Sequence, residues 1–186
     1  MVAAIILAAG ASQRLGQPKS LIPVADSTLI SLVTEQLRPL CSDMIIVTRN
    51  ELLVDVMLAS PETRVIANPH PEKGRTGTLQ IGILALEVPS SVLVVPIDRP
   101  GFTSGVVQTL LQFGECARPV QDGRGGHPIL LDSGAIESVL AARPDEPLRD
   151  LCSFIDVEVK NADFSLNVDT LEDLAILERW YSSQST

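Results

Sequence analysis

Near its start the chain reads Leu7-Ala8-Ala9-Gly10-Ala11-Ser12-Gln13-Arg14-Leu15-Gly16-Gln17-Pro18-Lys19, directly after the apolar run of residues 2–7. The apolar run predicts a buried parallel strand, and a glycine-bearing loop at the carboxyl end of such a strand is where open α/β sheets hold phosphorylated ligands. The loop fits neither G-x-x-x-x-G-K-[ST] nor G-x-G-x-x-G, so it is neither a P-loop nor a dinucleotide fingerprint. We therefore predict a nucleotide-binding loop of another kind.

Small residues and two cations give this loop its chemistry. Residues with little or no side chain let backbone N–H groups approach a nucleotide, and clusters of such groups bind anions. The guanidinium of Arg14 suits phosphate oxygens, and Lys19 adds a point charge, so we expect both to offset charge on a triphosphate. The predicted nucleotide-binding residues of the loop are Leu7, Ala8, Ala9, Gly10, Arg14 and Lys19.

The composition of the 186 residues restricts the class of partner. A net charge of −9 with only 3% aromatic residues argues against a nucleic-acid partner, and no apolar run reaches the length of a membrane span. Cys41, Cys116 and Cys152 are widely spaced without a C-x-x-C pair, which predicts reduced thiols in the cytoplasm. The length predicts one domain over residues 1–186.

Apolar runs alternate with segments of helical periodicity along the chain. The predicted strands after the first cover residues 44–47, 64–67, 92–95, 119–121, 128–131 and 154–159. The predicted helices cover residues 28–40, 51–58, 78–86, 104–113, 133–142 and 170–181. Residues 122–126 are polar and glycine-rich and predict an open loop. This order predicts a three-layer α/β/α sandwich around a mostly parallel, Rossmann-like sheet.

Two carboxylates stand at the ends of predicted elements, where a ligand could reach them: Asp98 follows a predicted strand and Asp169 precedes a predicted helix. Asp98 comes just after the strand at 92–95, at the sheet edge that also carries the Gly10 loop. Asp169 precedes the last helix, where either Asp169 or Thr170 could simply cap the helix. Magnesium is commonly held by one or two carboxylates together with substrate phosphates. Asp98 is therefore a candidate metal ligand.

The pattern L-A-A-G-x-S-x-R-x-G-x-x-K resembles the signature of nucleotidyltransferases with a GT-A-like fold, in particular the molybdenum cofactor guanylyl- and cytidylyltransferases. Asp98 resembles the aspartate of the family's D-x-P, and Asp169 matches the second aspartate of its D-I-D-T-P-E-D-L. The resemblance implies that Asp98 and Asp169 hold Mg²⁺. It also implies that Arg14, Lys19 and Asp98 carry the catalysis.

Two further segments resemble substrate-binding parts of the family. Thr76, Gly77 and Thr78 stand where relatives carry serines that contact base and ribose, although ordinary helix capping is an equal alternative. The segment at 126–128 resembles G-H-P, which is more typical of the cytidylyltransferase branch. The resemblance implies that Gly126, His127 and Arg149 bind the acceptor; a lone histidine beside proline is otherwise usually structural.

Taken together, the resemblance implies magnesium-dependent transfer of CMP from CTP to the phosphate of molybdopterin, with release of pyrophosphate. A molybdoenzyme or a chaperone would be the protein partner. Ala9, where guanylyltransferases carry a second glycine, favours CTP. Two alternatives stay open: transfer to a sugar phosphate or another small phosphate, and a non-catalytic homologue that only binds a nucleotide or cofactor.

Overall fold

An interior strand of the sheet is β1 (Val2–Ala8), whose seven residues are all buried in the computed structural model. The structure describes residues 2–12 and 14–184. Side chains of β1 alternate between the two faces, so that Ile6 packs in one hydrophobic cluster and Ile5 in the other. Because helices cover both faces, the strand is apolar throughout, as predicted for a parallel strand. It pairs in parallel with β4 (Cys41–Arg49) and β6 (Val92–Pro96).

Eight strands form one mostly parallel sheet. The other members are β5 (Arg64–Asn68), β7 (Ala117–Gln121), β8 (Arg124–Gly125), β9 (Ile129–Leu131) and β10 (Ile155–Glu158). Their order is β10-β7-β9-β6-β1-β4-β5, with β8 paired to β7. Strand β9 runs antiparallel to β6 and β7, and β8 runs antiparallel to β7. A separate two-stranded hairpin consists of β2 (Pro23–Val24) and β3 (Ser27–Thr28).

Helices cover both faces of the sheet. They are α1 (Leu29–Leu37), α2 (Leu53–Ala59), α3 (Arg75–Ala85), α4 (Ser104–Leu111), α5 (Ser133–Ala141), α6 (Leu148–Leu151) and α7 (Leu171–Gln184). Apolar side chains of α1, α2, α4 and α7 pack on one face, and those of α3, α5 and α6 pack on the other. This arrangement confirms the predicted three-layer α/β/α sandwich. Among residues 2–12 and 14–184, no helix combines the length and apolar character needed to cross a membrane.

The structure departs from the predicted elements in several short segments, among them the hairpin of β2 and β3, which was not predicted. Helix α3 begins at Arg75 rather than at Thr78 and is preceded by Gly74, whose φ of +124° favours glycine. The predicted open loop at 122–126 is wrong in part: it folds back as β8, with Val120 paired to Gly125. Helix α6 was not predicted, since four residues are too few to show a helical period.

Candidate active site

Backbone hydrogen bonds bring three distant segments together at the carboxyl edge of the sheet. Strands β1 and β6 are parallel neighbours, and the N–H of Ile97 donates to the carbonyl of Leu7 at 3.1 Å. The N–H of Val168 donates to the carbonyl of Asp98 at 2.9 Å. The loop after β1, the turn after β6 and the segment before α7 therefore meet at one place.

The ammonium of Lys19 lies between the two carboxylates at this meeting point. Its Nζ is 3.8 Å from Asp98 Oδ2 and forms a short ion pair with Asp169 Oδ1. The side chains of Lys19, Asp98 and Asp169 are 13%, 21% and 23% exposed, so solvent screens their interactions less than it would on an open surface. The backbone N–H of Lys19 donates to Ser12 Oγ at 3.2 Å, which ties the lysine to the loop.

Asp169 is the most heavily bonded carboxylate of the site. The hydrogen bond from Lys19, followed by one from Asn167, lowers its pKa below the ordinary value. Arg14 Nη2 approaches Asp169 Oδ2 at 3.4 Å, although the Arg14 side chain is 74% exposed. Asp173, in the first turn of α7, accepts at Oδ2 from the N–H groups of Asp169 and Thr170 at 2.9 and 2.7 Å. The Asp169 carboxylate is thus left to face the cations.

A cavity of about 380 Å³ lies over this cluster. Of the residues predicted to bind the nucleotide or a metal, those that line it are Leu7, Ala8, Ala9, Gly10, Lys19, Thr78, Asp98 and Asp169. Arg14 reaches Asp169 from the solvent side and does not line the cavity. The sequence assigned Arg14 and Lys19 to phosphate, and the structure places both cations on the carboxylate of Asp169.

Thr76, Gly77 and Thr78, in the first turn of α3, make different contacts. Thr78 is buried and lines the cavity, while its Oγ1 donates to the carbonyl of Gly74 at 3.2 Å. Thr76 is also buried, and its Oγ1 donates to the carbonyl of Glu146 at 2.5 Å. Gly77 faces Pro144: a Cβ there would lie 2.9 Å from the proline Cβ. Both threonine hydroxyls are already engaged, and Gly77 is a packing position.

A second cavity, of about 720 Å³, adjoins the first and shares Leu7, Arg75 and Pro96 with it. It contains all three predicted acceptor residues, Gly126, His127 and Arg149, together with Thr76. Its apolar walls are formed by Leu79, Val94, Ile129, Leu148 and Phe154. Arg149 is 84% exposed and lies 3.7 Å from Asp150, so it belongs to the outer part of the cavity.

His127 is a neutral group at physiological pH. Burial lowers its pKa from 6.5 to about 4, and the positive charges of Arg75 and Arg99 act in the same direction. The negative charge of Asp98 raises the pKa of His127, but its effect is smaller than the combined effect of burial and the arginines. A neutral imidazole offers one hydrogen-bond donor and one acceptor and no charge.

This pKa predicts a pH-dependent stability. Between pH 4 and 6.5 the unfolded chain binds more protons at position 127 than the folded chain, so the free energy of unfolding rises with pH in this window. We expect a gain of about 1–3 kcal/mol across it. Urea denaturation of the wild type and of His127→Gln at several pH values measures the effect. The variant should lose that slope, whereas His70→Gln, at an exposed position, should retain it.

Gly126 is a glycine because the ring of Phe164 occupies the space of a side chain. A Cβ at this position would overlap the ring atoms. Gly126→Ala should therefore lower the free energy of unfolding by about 1–3 kcal/mol, measured by urea denaturation. Gly105→Ala is the matched control, since the nearest atom to a Cβ there, Thr103 Oγ1, is 3.6 Å away. A fully stable Gly126→Ala would contradict this packing.

The donor set around Asp98 and Asp169 suits a magnesium ion that shares its ligands with a substrate. Both carboxylates contact one ammonium group and so face a common point. The amide oxygen of Asn167 is buried without a hydrogen-bond partner among residues 2–12 and 14–184. The same part of the chain holds no group of three or more His, Cys, Asp or Glu residues placed to bind a metal. Two carboxylates plus substrate phosphates are nonetheless a common magnesium environment.

Sequence reasoning missed Arg75, Arg99 and Asn167 as residues of this region. Arg75 lines both cavities, Arg99 is close enough to influence His127, and Asn167 donates to Asp169 at 2.5 Å. Asn167 stands at the position of the first aspartate in the family's D-I-D-T-P-E-D-L. The two arginines stand inside segments that were already noted, and their charge was the available signal.

Two curated proteins resemble this chain over 96% and 72% of its length. It is 25% identical over 185 residues to the molybdenum cofactor cytidylyltransferase of Escherichia coli (strain K12), covering 96% of both chains. It is 30% identical over 146 residues to the nicotine blue oxidoreductase of Paenarthrobacter nicotinovorans, covering 72% of each.

Solved structures share the fold. The homologue of Mycobacterium tuberculosis rv0371c from Mycobacterium sp. strain JC1 superposes with a TM-score of 0.82 at 22% identity, over 98% of both chains. Rv0371c of Mycobacterium tuberculosis H37Rv, solved as a complex with manganese, has a TM-score of 0.76 at 18% identity, over 96% of this chain and 98% of that one.

The family model of the MobA-like NTP transferase domain matches residues 4–160. The matched region contains the loop after β1, the turn that carries Asp98 and both cavities except for the segment around Asp169. The chain therefore belongs to the MobA-like NTP transferase family.

Proposed function

We propose that the protein transfers a nucleotidyl group, CMP from CTP, to a phosphate acceptor and releases pyrophosphate. The observation that carries the proposal is the Lys19 ammonium between Asp98 and Asp169, at the floor of a cavity lined by the loop after β1. The adjoining larger cavity provides room for a second substrate. The cytidylyltransferase relative supports CTP as donor and molybdopterin as acceptor.

In the proposed reaction an oxygen of the acceptor phosphate forms a bond to the α-phosphorus of the NTP. The bond from that phosphorus to the oxygen bridging to the β-phosphate breaks, and pyrophosphate leaves. No general base is required, since a phosphate acceptor is already ionised. His127, neutral and in the larger cavity, then acts by hydrogen bonding.

Asp98 and Asp169 would hold a divalent cation, Mg²⁺. When bound, such an ion supplies Lewis-acid stabilisation of charge on phosphate oxygens. Lys19 and Arg14 now bind Asp169, and phosphate oxygens would compete with that carboxylate for both cations. Lys19, the less exposed of the two, would neutralise the charge that develops on the leaving pyrophosphate.

Two alternatives lead to different experiments. An enzyme of the same family with a sugar phosphate or another small phosphate as acceptor would give a different product from the same NTP. A binding protein would hold the nucleotide without releasing pyrophosphate. One relative is named an oxidoreductase, which is a different reaction class. A molybdoenzyme or chaperone partner and a cytoplasmic location stay predictions.

A thermal-shift screen with the four NTPs and Mg²⁺ tests the donor. A ligand at a hundred times its Kd stabilises the folded state by about 2.7 kcal/mol, so CTP should raise Tm by several degrees. GTP, ATP and UTP should raise it less. No shift with any NTP would contradict the proposal, and equal shifts with all four would contradict CTP as the preferred donor.

A further inference from the structure

Three arginines beside the larger cavity, Arg75, Arg99 and Arg124, have no ion-pair or hydrogen-bond partner among residues 2–12 and 14–184. In the same part of the chain, eight of the 14 lysines and arginines make ion pairs and six do not. In a chain of net charge −9, where carboxylates outnumber cations, three such arginines close together call for an explanation.

The three arginines line one cavity of about 310 Å³, together with Gly126 and His127. They come from separate elements, since Arg75 begins α3, Arg99 follows β6 and Arg124 belongs to β8. One carboxylate, Asp163, lines the same cavity, and its Oδ1 accepts from the N–H and the hydroxyl of Ser165. The cavity thus collects more positive than negative charge.

Guanidinium groups are suited to phosphate because their planar N–H donors match its oxygens in pairs. A phosphomonoester carries a charge of about −1.5 to −2 at neutral pH, which several arginines can neutralise. Neutral His127 adds a hydrogen-bonding group without further charge. The chemistry of the cavity is therefore that of a phosphate site.

This phosphate site is next to the proposed reaction centre. Arg99 directly follows Asp98, and Arg75 lines the nucleotide cavity, the larger cavity and the arginine cavity alike. The larger cavity shares Arg75, Gly126 and His127 with the arginine cavity, and its walls are largely apolar. One molecule could place a phosphate among the arginines and an apolar body against those walls.

We propose that Arg75, Arg99 and Arg124 bind the phosphate of the acceptor, and that the apolar side chains of the larger cavity contact the rest of the acceptor. This inference rests on the proposed function, because it places the arginines on the acceptor side of the reaction. Arg149, ion-paired with Asp150 and 84% exposed, contacts the outer part of the acceptor and not its phosphate.

Phenyl phosphate is a suitable probe, since it joins a phosphomonoester to an apolar ring. Its Kd is measured by calorimetry on the full chain, with and without CTP and Mg²⁺, and the Kd of CTP is measured in parallel. Arg99→Gln and Arg124→Gln should each raise the Kd of phenyl phosphate about tenfold, the loss expected for a charge-assisted pair. The Kd of CTP should change less than about twofold. Arg75→Gln should raise both, because Arg75 lines both cavities.

Arg179→Gln is the matched control, because Arg179 is exposed on α7 and has no ion pair within residues 2–12 and 14–184. It should leave both constants unchanged. The three side chains bear no hydrogen bonds within the described residues, so the variants should unfold at the wild-type urea midpoint.

Two results would overturn the inference: an unchanged Kd for phenyl phosphate in Arg99→Gln and Arg124→Gln, or an equal loss of CTP binding, which would assign the arginines to the triphosphate. Failure of the proposed function looks different. In that case the wild type binds phenyl phosphate through these arginines and yet binds no NTP and releases no pyrophosphate.

Discussion

Asp98→Ala should reduce the turnover of CTP by about 10³-fold or more while the protein stays folded. The loss is expected because Asp98 is one of two carboxylates at the floor of the proposed nucleotide cavity, where a divalent cation would be held. Its nearest charged partner is the Lys19 ammonium at 3.8 Å, a contact that contributes little to folding. Release of pyrophosphate from CTP with Mg²⁺ measures the effect.

Asp55→Ala is the matched control, since Asp55 is exposed on α2 and lines none of the three cavities. It should retain much more activity than Asp98→Ala. Urea denaturation should give both variants a midpoint that permits assay at 25 °C. Undiminished pyrophosphate release by Asp98→Ala would remove the metal role of this carboxylate.

Lys19→Met should lower kcat by about 10²–10³-fold, the loss typical of removing one charged group that stabilises a transition state. Lys19 is 13% exposed and contacts both carboxylates, so its charge is held at the cavity floor. Methionine preserves much of the length of the side chain and removes the charge. Steady-state assays with CTP separate an effect on kcat from an effect on KM.

The Lys19 variant should also change stability. Without the ammonium, Asp98 and Asp169 face each other as like charges, and the pKa of Asp169 should rise towards its ordinary value. Because the pKa of Asp169 is lowered in the folded state, the ionised carboxylate stabilises the wild type at pH values above the unfolded-state pKa near 3.8. This stabilisation is lost as the pH falls below 3.8. The variant should therefore lose less stability in acid. Lys160→Met removes an exposed lysine as control. Equal kcat for Lys19→Met and Lys160→Met would contradict the role of Lys19.

The layered fold was predictable because a strand that is buried on both faces is apolar at nearly every position in the sequence. Strands β1, β4 and β6 are flanked by helices on each side, so their apolar runs are nearly continuous. Asp98 was predictable for a related reason, since the end of β6 and the end of β1 must reach the same edge of a parallel sheet.

The partners of the charged groups were not predictable. Lys19 and Asp169 lie 150 residues apart in sequence, and no local sequence pattern predicts their ion pair. The sequence assigned Lys19 and Arg14 to phosphate because their spacing fits a nucleotide loop. In the structure the same two cations balance Asp169, which a single sequence cannot reveal.

Short-range packing also escaped prediction. Gly77 was predicted to bind the nucleotide where relatives carry a serine, yet its N–H donates to the carbonyl of Pro144 at 3.0 Å and a side chain would meet that proline. The convergence of Arg75, Arg99 and Arg124 depends on α3, the turn after β6 and the β7–β8 hairpin together. Only the assembled sheet brings these three elements to one cavity.

The most direct test of the nucleotidyltransferase site compares the wild type with Asp98→Ala in one assay. Each protein is incubated with Mg²⁺, each of the four NTPs in turn, and molybdopterin or a sugar phosphate, and released pyrophosphate is measured. The site predicts that the wild type releases pyrophosphate, most rapidly with CTP and molybdopterin, and that Asp98→Ala releases about 10³-fold less. Equal rates for the two proteins, or no release by the wild type under any of these conditions, would contradict it.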